Sequence, residues 1–368
     1  MASEKKITAE AFNQRLAKVQ KALQERELDG LIVNGQGTQK VGDLTYLSNY
    51  RPGRVRNEGF QGAGCHAMVL AAEGPAMLVS PLGQCGEGTF NVNGFKGGND
   101  FNADLAGAVR ELGLAGGKLG VAGSGQMSSQ VWFTLKRILP KVELVPADEI
   151  LRDLRAVKSS EEVELLGESA RVGEQTIAIG MESVKPGVTE HRLELDLRAA
   201  AYEAGADAIA EVTVNSGPFL RDTGCGRTVQ AGDLVSLGIS GWCEGYAFCA
   251  TRVVAAGDPG QHQRKQLSHL EEAAQYVVDT LQPNRTVGYV TSLHGGQTIL
   301  PAAHGIGLEL YEHPWIITGP MAGKPVVLPN MVFSVEPILM DGRLGALPIS
   351  KTVLVTEDGP RVLGMPSA

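Results

Sequence analysis

Gly232-Asp-Leu-Val-Ser-Leu-Gly-Ile-Ser240, followed by Gly245-Tyr-Ala-Phe-Cys-Ala-Thr-Arg-Val-Val254, decides the fold class. Both runs are rich in apolar strand formers, and a Gly-containing turn separates them, so they read as the arms of an antiparallel hairpin. Met331-Val-Phe-Ser-Val-Glu336 and Ile349-Ser-Lys-Thr-Val-Leu-Val-Thr356 form a second pair. Helical sequence precedes each pair. Ser159 and Glu162 make a capping box that starts a long helix running towards Met181. Lys185-Pro-Gly-Val-Thr189 ends that helix and opens another, and Gln282-Pro-Asn-Arg-Thr286 repeats the device after a helical run from Gln263 to Leu281. Such a Pro turn is also common helix punctuation. Its recurrence, with strands after each copy, predicts an internally duplicated α+β domain over residues 151–368.

Upstream, the elements alternate. Phe12, Leu16, Val19 and Leu23 share one helix face, and Gly30-Leu-Ile-Val33 reads as a buried strand. His66 to Leu70 and Ala76 to Val79 flank Glu73-Gly74 as a hairpin would. Helices over Ala103–Leu112 and Ser129–Leu139 then alternate with strands at Leu119–Ala122 and Val142–Val145. Residues 1–150 are therefore expected to form a smaller α/β domain. Gly123-Ser-Gly125-Gln-Met-Ser128 has the outline of a dinucleotide-binding loop, but Ser128 stands where the third Gly belongs and the loop comes at the end of its domain.

Composition bounds the rest. The chain has 368 residues, too many for one small core, and 43% of them are apolar, as in a globular protein. A net charge of −8 argues against nucleic-acid binding, which needs a clustered excess of cations. The sequence lacks a run long and apolar enough for a membrane span, and its start lacks the apolar core of a secretory signal. Five cysteines without a CxxC pair suit free thiols in a reducing compartment. A soluble cytoplasmic protein is the expectation.

Two further segments carry chemistry. Ala303-His304-Gly-Ile-Gly-Leu308 places a His among glycines, and Val335-Glu336-Pro337 puts a carboxylate at the end of an apolar strand. Either residue alone would be read as structural. Together with Leu154-Arg-Ala-Val-Lys-Ser159, Lys185-Pro-Gly-Val-Thr189, Gly232-Asp-Leu-Val235, Gly245-Tyr246, Thr251-Arg252 and Thr352-Val-Leu-Val-Thr-Glu-Asp-Gly359, the chain resembles the creatinase and Xaa-Pro aminopeptidase family. The resemblance implies a pita-bread catalytic domain, preceded by a smaller creatinase-type α/β domain, with the site on the concave face of a curved sheet. It also implies a homodimer in which the neighbouring N-terminal domain approaches the site, where Arg54 would be a candidate contact.

The departures from the family pattern shape the functional expectation. Family metallopeptidases hold two metal ions with two Asp, one His and two Glu. In this chain the corresponding positions are Gly238, Cys249, His304, Glu336 and Ser350. Two bridged divalent ions need the missing carboxylates. The family's metal-independent precedent is creatinase, so the resemblance then implies a metal-independent, cofactor-free enzyme that cleaves a non-peptide C–N bond of a small polar substrate. In that reading His304 shuttles protons, Glu336 orients it, and Cys249 is either a nucleophile or a buried filler. Tyr246, Arg252, Asp222, Tyr311 and His313 are candidate substrate contacts, Arg252 through bidentate carboxylate recognition. The alternatives are a metal-free lyase or cyclase, a non-catalytic binding protein, and a mononuclear Xaa-Pro-type metallopeptidase with Cys249, His304 and Glu336 as donors.

Overall fold

The computed structural model describes residues 7–36, 40–51, 65–81, 91–218, 225–286, 293–294, 297–300, 302–317 and 326–364. It divides into two compact units, one over Ile7–Arg155 and one from Ala156 onward.

In the first unit the order is α1 (Ala9–Glu25), β1 (Gly30–Gln36), α2 (Gly42–Ser48), β2 (Cys65–Ala71), β3 (Ala76–Val79) and β4 (Gly94–Lys96). It continues with α3 (Phe101–Glu111), β5 (Lys118–Ala122), α4 (Ser129–Ile138), β6 (Glu143–Pro146) and α5 (Asp148–Ala156). Thr8, Asp100 and Ser128 start α1, α3 and α4 by accepting hydrogen bonds from free backbone N–H groups of the first turn. A six-stranded sheet runs β4-β3-β2-β1-β5-β6, with β1 antiparallel to β2 and parallel to β5. The expected β2–β3 hairpin is present, whereas α2 and β4, too short for a clear periodicity, were not foreseen. At the dinucleotide-like loop, a Cβ on Gly123 would sit 2.6 Å from the Asn34 carbonyl oxygen, and Asp148 takes the Ser124 backbone N–H at 2.9 Å. The loop's glycine and its first N–H thus serve internal packing.

The second unit opens with α6 (Ser160–Ser183), α7 (Glu190–Ala204), β7 (Ala208–Ser216), β8 (Leu234–Cys243), β9 (Tyr246–Ala255) and α8 (Gln261–Thr280). Then come β10 (Leu293–His294), β11 (Gln297–Leu300), β12 (Ala302–Gly305), β13 (Glu312–Ile317) and β14 (Val332–Val335). The last elements are β15 (Ile338–Asp341), β16 (Gly345–Pro348), β17 (Lys351–Thr356) and β18 (Gly359–Val362). The capping box at Ser159 and Glu162 is formed in both directions. Three antiparallel strands, β7-β8-β9, pack their apolar face on α6 and α7, and five more run β13-β12-β14-β17-β18. The Pro-turn repeat is uneven: α6 and α7 flank the first copy, while α8 leads through the second to β10, with residues 287–292 outside the described set. The unit has the helix-then-strand α+β organisation expected, and the smaller α/β unit precedes it in the chain.

One buried cluster in the first unit gives a prediction. The Tyr50 and Ser80 hydroxyls share a 2.7 Å hydrogen bond, and Ser80 Oγ lies 3.1 Å from His66 Nδ1. His66 is 1% exposed, and burial lowers its imidazole from 6.5 to about 4. The folded chain therefore disfavours the charged ring. Stability from this group is complete above pH 6.5 and is lost as pH falls towards 4, on the order of 3 kcal/mol. Denaturant midpoints measured across that window should fall in the wild type and fall less steeply in His66→Gln.

Candidate functional site

The register of β7, β8 and β9 builds one side of the site. Thr213 pairs with Gly238, which pairs with Thr251, and in the next row Glu211 pairs with Ser240 and Ser240 with Cys249. Alternation along each strand sends these residues to one face, while Val212, Val214, Leu237, Phe248 and Ala250 enter the core. The polar face lines a cavity of about 220 Å³. His304, Glu336 and Tyr311 line it as well.

His304 and Glu336 come from neighbouring strands. On β12, His304 pairs with Ser334 of β14, and Glu336 follows β14 by one residue. His304 is 3% exposed, and its Nδ1 lies 3.0 Å from the Gly305 carbonyl oxygen. Nε2 makes no hydrogen bond of normal geometry and stands 3.5 Å from Glu336 Oε1. Burial works to raise the Glu336 carboxyl, but the facing imidazole, the Ser334 hydroxyl at 2.7 Å and the Cys249 thiol outweigh it and hold it at about 2. At neutral pH the pair is an imidazole beside a fixed carboxylate, the arrangement of a general acid–base.

The remaining predicted residues divide. Tyr311 lines the cavity, its ring 4.6 Å from that of His304, and burial followed by the Glu336 carboxylate pushes its phenol up to about 12. Cys249 also lines it, but burial and Glu336 push its thiol well above 9.0, so it is a hydrogen-bond donor to Glu336 and a poor source of thiolate. Of the two readings of Cys249, nucleophile and buried filler, this burial supports the second. Arg252 is not available to a substrate carboxylate, because its guanidinium holds Glu174 at 2.7 Å and the Ser350 carbonyl at 2.6 Å. Tyr246 is buried with its hydroxyl on Glu162 at 3.1 Å, and the exposed ring of His313 does not line the cavity. Asp222 and Arg54 lie outside the described residues. Glu211, Thr213, Asn215 and Ser236 were missed, although their two-residue spacing within apolar runs is the signature of a strand with one polar face.

A buried ion pair fixes the loop above this cavity. Lys158 Nζ lies 3.1 Å from Glu312 Oε2, the two side chains being 1% and 5% exposed. Glu312 also accepts the Glu309 N–H at 3.0 Å, and Trp242 Nε1 and the Ala247 N–H bind the Leu308 and Gly307 carbonyls. Leu310 and Tyr311 are carried on the segment so pinned.

Two family models match the chain. The Creatinase/Prolidase N-terminal domain covers residues 15–157, and Metallopeptidase family M24 covers residues 164–357. The chain belongs to metallopeptidase family M24. It is therefore a hydrolase of a peptidase family. The probable dipeptidase PepE of Mycobacterium tuberculosis is 29% identical, with 96% of this chain and 95% of that protein aligned. The Xaa-Pro dipeptidase of Pyrococcus furiosus is 25% identical over 60% of this chain and 66% of its own length. Among solved structures, dipeptidase PepE of Mycobacterium ulcerans superposes with a TM-score of 0.78 at 26% identity, covering 98% of each chain. The prolidase of Pyrococcus horikoshii gives 0.79 at 18% identity, covering 96% of this chain and 99% of its own.

These relatives overturn the expectation of a metal-independent enzyme for non-peptide C–N bonds. That expectation passed from absent ligands to creatinase, yet the full-length relatives are named as peptidases. Loss of a ligand bears on how water is activated, not on which bond the cavity presents.

The metal pair implied by the family is a separate question, answered by the donors. A Cβ on Gly238 would sit 2.3 Å from Thr213 Oγ1, Cys249 donates to Glu336, and the Ser350 hydroxyl donates to the Cys249 carbonyl at 3.3 Å. Among the described residues no group of three or more His, Cys, Asp or Glu side chains stands in position to hold a metal ion. The donor set does not fit two bridged ions.

Two measurements follow. Lys158→Met leaves the Glu312 charge buried without its cation and should lower stability by about 3–5 kcal/mol, with much of that recovered in Lys158→Met/Glu312→Leu. Quantitative mass spectrometry after brief iodoacetamide treatment at pH 8 should show Cys249 alkylated more slowly than the half-buried Cys225.

Proposed function

We propose that the chain hydrolyses short peptides of about dipeptide size in the cavity between β7–β9 and the His304–Glu336 pair. The observation that carries this is the meeting of full-length similarity to a dipeptidase with a small cavity holding a buried imidazole and a fixed carboxylate. His304 would take a proton from the attacking water as its oxygen bonds to the peptide carbonyl carbon. Glu336 would stabilise the imidazolium so formed, and the proton would pass to the departing amine as the C–N bond breaks. Ser334 and Cys249 act by holding the carboxylate in place.

A second reading retains a single metal ion. It is favoured by His304 Nε2 and the Glu336 carboxylate, 3.5 Å apart in the same cavity, as a pair of candidate donors. The described thiols are unpaired and support a reducing, cytoplasmic setting as part of the same proposal. A homodimer belongs to it as well, on the family resemblance.

The test is a panel of dipeptides, Xaa-Pro dipeptides and tetrapeptides, with release of free amino acid followed by chromatography. Dipeptides should be cleaved and tetrapeptides left, and His304→Ala should lower kcat by about 10²–10⁴-fold. Absence of cleavage across the whole panel would sink the proposal. Elemental analysis and chelation in the same assay separate the two readings: one ion per chain, with activity lost on chelation, selects the mononuclear one.

A further inference from the structure

The charge pattern of the cavity is not explained by hydrolysis alone. The described residues that line it include two carboxylates, Glu211 and Glu336, one imidazole, and no Lys or Arg. Glu336 is occupied by Ser334, Cys249 and His304. Glu211 stands apart from that knot. It lies on β7 with its side chain at the exposed edge of the lining and has no hydrogen bond or ion pair with a described residue.

Among the described residues, two cations of nearby strands are committed elsewhere. Arg252 is held by Glu174 and the Ser350 carbonyl, and Lys351 lies 3.0 Å from Glu271. Nothing in the described lining would neutralise a carboxylate on the ligand. Among the described residues, Glu211 thus stands without a cation above a floor of neutral hydroxyls from Thr213, Ser236 and Ser240. Independently, His304 is 3% exposed and lines the same cavity, and its Nε2 faces Glu336 at 3.5 Å without normal hydrogen-bond geometry, so a polar group of a ligand can meet it there.

We infer that the site selects ligands carrying a cationic group, ammonium or guanidinium, which pairs with Glu211 while a polar group of the same ligand meets His304. The inference rests on the peptide-hydrolase reading only for the identity of the ligands as substrates. Glu211 is then a specificity residue, not a catalytic one. An ion pair at the cavity edge is partly desolvated, so it discriminates more than a pair on open surface does. Two sources supply such a cation in a short peptide, the α-ammonium and a basic side chain.

Calorimetric titration of the intact chain and of Glu211→Gln separates them without requiring turnover. The probes are Lys-Ala, norleucyl-Ala, N-acetyl-Lys-Ala and N-acetyl-norleucyl-Ala, which carry both cations, the α-ammonium, the side-chain ammonium, and neither. The wild type should bind at least one of the first three about tenfold more tightly than the last. Glu211→Gln should abolish that difference while leaving affinity for N-acetyl-norleucyl-Ala unchanged. Whichever singly charged probe shows the loss identifies the source of the cation. Equal binding of charged and neutral probes by the wild type, or unaltered discrimination in Glu211→Gln, overturns the inference. Because binding and cleavage are read apart, Glu211-dependent cation binding without cleavage refutes only the peptidase reading, whereas cleavage without charge discrimination refutes only this one. Thermal midpoints matching the wild type within about a degree show that the exposed-edge substitution leaves the fold intact.

Discussion

Everything in the site depends on the register in which β8 meets β9. Gly238 opposite Thr251 and Ser240 opposite Cys249 put Ser236, Ser240, Cys249 and Thr251 on the cavity side and Leu237, Phe248 and Ala250 in the core shared with α6 and α7. A slip of one residue would drive Cys249 and Thr251 into the core and expose Phe248 and Ala250. The tight turn at Glu244 and Gly245, both with positive φ, sets that register at one end. The apolar packing of the hairpin on two helices enforces it along the length. Because β7 pairs with β8 through the same rows, Glu211 and Thr213 reach the cavity by the same constraint.

The same geometry explains which parts of the site were legible in the sequence. Hairpins, caps and the two-unit organisation rest on local patterns, so Gly232–Val254 and the Ser159–Glu162 box could be read directly. His304, Glu336, Tyr311 and Cys249 were reached through ordered motifs, and all four line the cavity. Arg252 and Tyr246 were misplaced because a motif records that a residue recurs, not which face it occupies. Arg252 follows Thr251 by one residue in a strand, and that single step turns it away towards Glu174. Glu211 was overlooked for the complementary reason. Its strand carries no family motif, and only the two-residue rhythm through Thr213 and Asn215 marks its face.

The substitutions at the expected metal positions form a connected set. Gly238 leaves room that the Thr213 hydroxyl fills, Cys249 supplies a neutral donor to Glu336, and Ser350 ties the start of β17 to β9 through the Cys249 carbonyl. With carboxylates at all three positions and no cation between them, the cavity would hold several like charges at close range, a costly arrangement in a partly buried space. The neutral replacements remove that repulsion. Glu336 is then ionised against a single imidazole, with a thiol and a hydroxyl as its other partners, and burial no longer wins over those contacts.

This rearrangement also changes what the cavity can recognise. In a two-ion site, the metals supply positive charge and attract the anionic end of a ligand. A site with neutral residues at three of those positions has its sign set by the carboxylates that remain, and the hydroxyls from Thr213, Ser236 and Ser240 are too weakly polar to offset them. Glu336 is hydrogen-bonded inside the cavity by Ser334 and Cys249, whereas Glu211 places its carboxylate at the edge. The loop pinned by Lys158 and Glu312 brings Leu310 and Tyr311 to the same cavity. On the inference drawn from Glu211, such a cavity would favour the cationic group of a ligand over an anionic one.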